Sequence, residues 1–141
     1  MKSILQPRIR DFVVWQLEHY PQDRQQLEEI KKDMIPSATP NYNSIGGHSN
    51  EVSRTTEDIA LQIASSVYVQ RLEQTVQAIK CVIDRLDDTD AQLINLVYFK
   101  GTHTVDGAAM VANLSSRTAY RHINRVLTAV ALELGLINVP F

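Results

Sequence analysis

From Ser53 to Leu86 the chain contains neither glycine nor proline, and Ile59, Ile63, Val67, Leu72, Val76, Ile79, Val82, Ile83 and Leu86 recur through it at helical spacing. This run predicts a single helix about 50 Å long at ~1.5 Å per residue. In a chain of 141 residues such a rod must lie against a partner helix or a second subunit, so the expected class is all-α, with homo-oligomerisation through the long helix as one outcome.

The segments on either side read as helix too. "RIRDFVVWQLEH" puts Ile9, Phe12, Val13 and Leu17 near one face, with Pro7 admissible in the first turn, where its missing amide proton has no partner. Tyr20-Pro21 is expected to end that helix, and "QDRQQLEEIKKDM" to form a second, thin one on Leu27, Ile30 and Met34. Residues 36 to 50, "PSATPNYNSIGGHSN", concentrate turn-forming residues and read as a linker. The organisation is therefore an N-terminal helical pair and linker over 1–50, followed by the long helix and a C-terminal unit over 51–141. In that unit Asp88 or Thr89 caps a helix carrying Leu93, Ile94, Val97 and Tyr98. Thr104 caps a short helix through Ala112. Asn113 tolerates left-handed geometry, and Ser115 caps a last helix to about Leu134.

The short helix, the turn and the last helix have the layout of a helix-turn-helix. Ala108 and Ala109 are small enough for a close crossing, while Leu114, Ala119 and Ile123 anchor the second helix to the core. On that helix Arg117, Arg121 and Arg125 are four residues apart, so each step drifts only about 40° and the three form one stripe. Ser116, Thr118, Tyr120 and Asn124 flank it. Arginine forks suit guanine edges or phosphates, asparagine suits adenine, and the amides of the first turn from Ser115 suit a phosphate. A solvated face would ordinarily carry acids four residues from these cations, and "NLSSRTAYRHINRVL" has none. Double-stranded DNA is the expected partner.

Overall charge does not predict this partner, since 14 basic against 16 acidic residues leave −2. The distribution does: residues 1–99 hold 10 basic and 14 acidic side chains, and residues 100–141 hold 4 and 2. Other chemistry is not expected. The four histidines, His19, His48, His103 and His122, lack a second ligand at metal spacing, so no metal or cofactor is foreseen. "IDRLDDTD" lacks the alternation of a calcium loop, and Gly46-Gly47 lack the lysine of a phosphate loop. Cys81 and Trp15 are expected in the core. With one cysteine, no secretory leader and no apolar run of about 18 residues, the chain is expected to be a soluble cytoplasmic protein and not an enzyme.

The helix from Asp90, the "TVDGAAMVANLSSRTAYRHINRVL" unit and the trailing "LELGL" resemble DNA-binding region 4 of bacterial sigma factors over about fifty residues. Across nearly the whole chain, "HYPQDRQQLEEIKKDMIPSATPNY", the "GGHS" loop, "RLEQTVQAIKCVIDRLDD" and "SSRTAYRHINRVLTAVALELGL" are similar to the RinA/ArpU group of phage transcriptional regulators. The resemblance implies an activator of late phage genes for packaging, morphogenesis or lysis, acting at a promoter with host RNA polymerase. It also assigns DNA contacts to Ser116, Arg117, Thr118, Tyr120, Arg121, Asn124 and Arg125, with Thr104 and Ser115 near phosphates. Two departures from the pattern are Gly107 inside the short helix and Asn113 in place of the commoner turn glycine. A small terminase-like packaging component using the same motif, and an interaction module whose arginines meet an acidic protein, are the competing expectations.

Overall fold

A computed structural model of the chain describes residues 5–34 and 56–138, with side chains described over 5–32, at 61 and over 66–138. These residues form helices and no strand. The expected linker at 36–50 lies outside them.

Helix α1 spans Pro7–Met34 as one element, which corrects the expected break at Tyr20-Pro21. Pro7 stands at the first helical position, and the Arg10 amide donates to the Gln6 carbonyl at 2.9 Å. Pro21 lies inside the helix and is exposed. Its ring removes the amide that would reach the Leu17 carbonyl, but Val13, Leu17, Tyr20 and Leu27 are all buried on one side of α1. Burial of that stripe holds both halves in register, so the N-terminal pair is one helix.

Helix α2, Thr56–Asp84, runs unbroken through Gln70 as its apolar spacing foretold. Leu72, Val76, Ile79 and Val82 bury its C-terminal half. The rod's partner lies within the chain: Lys31 Nζ on α1 pairs with Glu73 at 3.0 Å, and the Tyr68 hydroxyl donates to Gln26 Oε1 at 3.2 Å. Toward the start of α2, Leu61, Val67 and Tyr68 are exposed. Cys81 is also exposed, which corrects its expected core position. It lies between the buried positions Ile79 and Val82, on the side of α2 that they leave to solvent.

Helix α3, Asp88–Ile94, is capped by Asp87, whose carboxylate accepts from the Asp90 amide at 2.8 Å. The cap is therefore one residue earlier than expected. α3 continues as a π turn over Asn95–Phe99, in which the Lys100 amide reaches back to the Asn95 carbonyl at 2.8 Å. Phe99 brings this turn against α1, its ring 5.4 Å from that of Tyr20.

Helix α4, Val105–Val111, starts at Thr104, whose hydroxyl accepts from the Gly107 amide at 3.1 Å. Helix α5, Ser116–Glu133, starts at Ser115, whose hydroxyl accepts from the Thr118 amide at 3.2 Å. Between them Asn113 has φ 58°, and the Leu114 amide reaches the Ala109 carbonyl at 2.8 Å. This paired closure ends a helix through one left-handed residue. The same closure ends α5, with Gly135 at φ 75° and the Leu136 amide on the Ala131 carbonyl at 2.9 Å. Ala108 and Ala109 are fully buried where α4 meets α5. One core joins Leu17 of α1, Ile79 of α2, Leu93 of α3 and Ile123, Leu127 and Val130 of α5. α1 thus shares the core of the residues that follow it.

Candidate nucleic-acid interface

α5 is strongly two-sided. Ala119, Ile123, Val126, Leu127, Val130 and Ala131 face inward and are buried. Arg117, Arg121 and Arg125 fall on the opposite arc, as the four-residue spacing requires, and all three are exposed. Ser116 and Tyr120 are exposed beside them, whereas Thr118 and Asn124 are half-buried. The N-terminal turn is tied together by the Ser115 cap and by a bond from the Ser115 hydroxyl to that of Thr118 at 2.9 Å.

Neighbouring helices engage the two edges of the arc. On one edge, Arg10 of α1 donates through Nη1 to Asn124 Oδ1. On the other, Arg125 Nη2 lies 3.2 Å from Asp90 Oδ2, and His122 Nδ1 lies 2.6 Å from Asp90 Oδ1. A carboxylate accepts, so His122 Nδ1 carries the proton, and the 3.1 Å approach of Arg125 Nη2 to the same nitrogen is proximity without a bond. Arg125 keeps 66% of its side-chain exposure, and this contact engages its Nη2 alone. Arg117 and Arg121 have no carboxylate partner among the described residues.

Of the residues singled out in the sequence, the structure brings Ser116, Arg117, Tyr120, Arg121 and Arg125 onto one open surface of α5. Thr104 and Ser115 act as helix caps, Thr118 completes the second cap, and Asn124 is held by Arg10. The absence of acids within the segment was a property of its linear spacing alone. Asp90 supplies a partner to Arg125 from another helix, and Glu133 on α5 itself is taken by Arg85 at 2.7 Å.

Sequence reasoning missed Arg10, Asp90 and His122. Asp90 carried one faint signal as an acid in a helix's first turn, but nothing in linear order pairs it with position 122. Tyr98 sits near this edge, and burial raises its phenol above the ordinary 10.0; Arg10 opposes that shift, while Glu18 and Tyr120 add to it. The ring stays neutral at physiological pH. Trp15, expected in the core, is instead 50% exposed on α1, with its ring beside those of Phe12 and His19. The buried side of α1 is taken by Val13, Leu17 and Tyr20, and Trp15 points away from it.

Among the described residues no group of three His, Cys, Asp or Glu side chains is arranged to hold a metal ion. No helix among them is long and apolar enough to cross a membrane. No family model, curated protein or solved structure matches the chain.

Proposed function

We propose that the chain is a sequence-specific DNA-binding transcriptional regulator, in which α4, the Asn113 turn and α5 act as a helix-turn-helix of the sigma region 4 type. α5 enters the major groove, Arg117 and Arg121 supply the forward contacts, and Ser116 and Tyr120 border them. Arg125 adds a phosphate contact at the edge through the guanidinium nitrogens that Asp90 leaves free. Supporting this reading is one observation above the others: Arg117 and Arg121 stand side by side on the solvent arc of α5 without a carboxylate among the described residues to neutralise them. Cations left unpaired beside a helix N-terminus favour a polyanion. Taken with the likeness to RinA/ArpU regulators, the proposed role is activation of late phage genes together with host RNA polymerase.

The test is selection of bound fragments from a random duplex pool, followed by affinity measurements on the selected site and on unrelated DNA. Arg121→Ala is expected to weaken the selected site by roughly 1–3 kcal/mol and unrelated DNA by less, because a guanine-forking arginine contributes more where the base is correct. Equal losses on both would make Arg121 a phosphate contact. No salt-sensitive binding to any duplex would reject the reading in favour of a protein partner.

A further inference from the structure

Along α1 a second stripe faces away from the core. Arg8, Phe12, Trp15, His19 and Gln22 follow one another at alternating steps of four and three residues, the spacing of a helix–helix seam, and the stripe ends before Gln26, which Tyr68 of α2 engages. Phe12 is 45% and Trp15 50% exposed. Their rings stack with centroids 6.5 Å apart, and the His19 ring lies 4.1 Å beyond the indole. His19 Nδ1 donates to the Trp15 carbonyl at 2.8 Å, since a carbonyl only accepts, so the imidazole is locked against the indole. The three rings form a continuous, preorganised aromatic ridge.

Charge brackets the ridge asymmetrically. Arg8 at its N-terminal end has no ion pair among the described residues. Asp23, one turn beyond His19, is half-buried, and burial raises its carboxyl above the ordinary range, with only His19 opposing the shift. Each end therefore carries a charge that the described residues leave unpaired or incompletely compensated.

We propose that this face of α1 is a two-fold interface with a second copy of the chain, the two α1 helices lying antiparallel. Arg8 and Asp23 are equidistant from the midpoint between Trp15 and Gln16, and so are Phe12 and His19. An antiparallel pair therefore sets Arg8 against Asp23 of the second copy twice, stacks Phe12 on His19 twice, and brings the two Trp15 rings together near the axis. A parallel pair would oppose like charges at both ends. The face is thus complementary to itself in one orientation only, as a two-fold contact requires.

The interface is small. Aromatic side chains bury about 150–250 Å² each when fully covered, so four half-exposed rings contribute on the order of 400 Å², well below the ~1,200 Å² of a stable complex. The dimer is accordingly weak and concentration-dependent in free solution.

Sedimentation velocity across a concentration series, without DNA, tests this independently of the proposed function. The expected result is a reversible rise from monomer to dimer mass with a midpoint in the micromolar range or weaker. Trp15 is the chain's one tryptophan, so its emission should shift to the blue along the same curve. Arg8→Asp and Asp23→Arg, both changes outside the buried core, should each weaken association roughly tenfold by opposing like charges. The double variant, with the charges exchanged, should return to near the original midpoint. A monomer at every concentration overturns the proposal. So does a double variant no better than the singles, and so does a doubling of mass with unchanged Trp15 emission, which would place the contact elsewhere.

Discussion

Asp90 is the one buried charged side chain among the described residues, 5% exposed, and His122 and Arg125 are the groups that make its burial tolerable. The three residues are unequal because their access to water differs. Removing the carboxylate leaves two groups that water still reaches, His122 in part and Arg125 largely, whereas removing His122 leaves a buried carboxylate with one marginal partner. Asp90→Ala is therefore expected to cost about 1–2 kcal/mol of unfolding free energy, and His122→Ala about 3 kcal/mol, read from urea midpoints at neutral pH. The reverse order would mean that Asp90 stabilises α3 more as a first-turn acid than as a partner of α5. This triad also marks where single-residue reading stopped. Thr104, Asn113 and Ser115 were legible because caps and left-handed turns are set by side chains within three or four residues. Asp90 and His122 are joined only by the packing of α3 on α5, and Asn124 and Arg10 only by that of α1.

At the level of elements, the apolar patterns of the C-terminal half of α2 and of α3 to α5 survived folding, since each carries enough apolar spacing to show its own buried face. Val67, on the same expected stripe of the long helix, is exposed. The pattern expected of α1 did not survive, and Pro21 is the reason. Local rules end a helix there, but burial of Leu17, Tyr20 and Leu27 on one side overrides them. The same misjudged face explains Trp15 and Phe12, since an aromatic residue in a helical pattern reads as core whichever way it points. Pro21 is exposed, so its side chain contributes little packing that alanine would forfeit. Relative to alanine, an interior proline costs about 3 kcal/mol in helix stability. Its stiffening of the unfolded chain returns about 1 kcal/mol of that. Pro21→Ala is thus expected to raise stability by about 2 kcal/mol in denaturant unfolding, with increased helical signal only if α1 was frayed beforehand. An unchanged midpoint would mean that the packing of α1 already absorbs the missing bond to Leu17.

For the whole molecule the decisive quantity is how a chain of net charge −2 could hold a polyanion. Screening confines each charge to about 8–10 Å at ordinary ionic strength, so acids farther than that from a phosphate facing α5 act weakly on it, and the local arc governs. That arc presents two arginines unpaired among the described residues and one partly engaged, which in the proposed complex would together displace about two to three counterions per copy. The expected slope of log affinity against log salt is then about −2 to −3 for one copy on one site. Raising salt fourfold should weaken binding about 15- to 60-fold. Two copies held together through α1 on paired sites double the number of displaced ions, giving a slope of about −4 to −6. Arg8→Asp, far from α5 in sequence and absent from its arc, should bring the steeper slope back toward the single-copy value while leaving affinity for an isolated half-site unchanged. If instead the half-site affinity falls with Arg8, that arginine touches DNA directly, and the N-terminal helix belongs to the binding surface and not to an interface between copies.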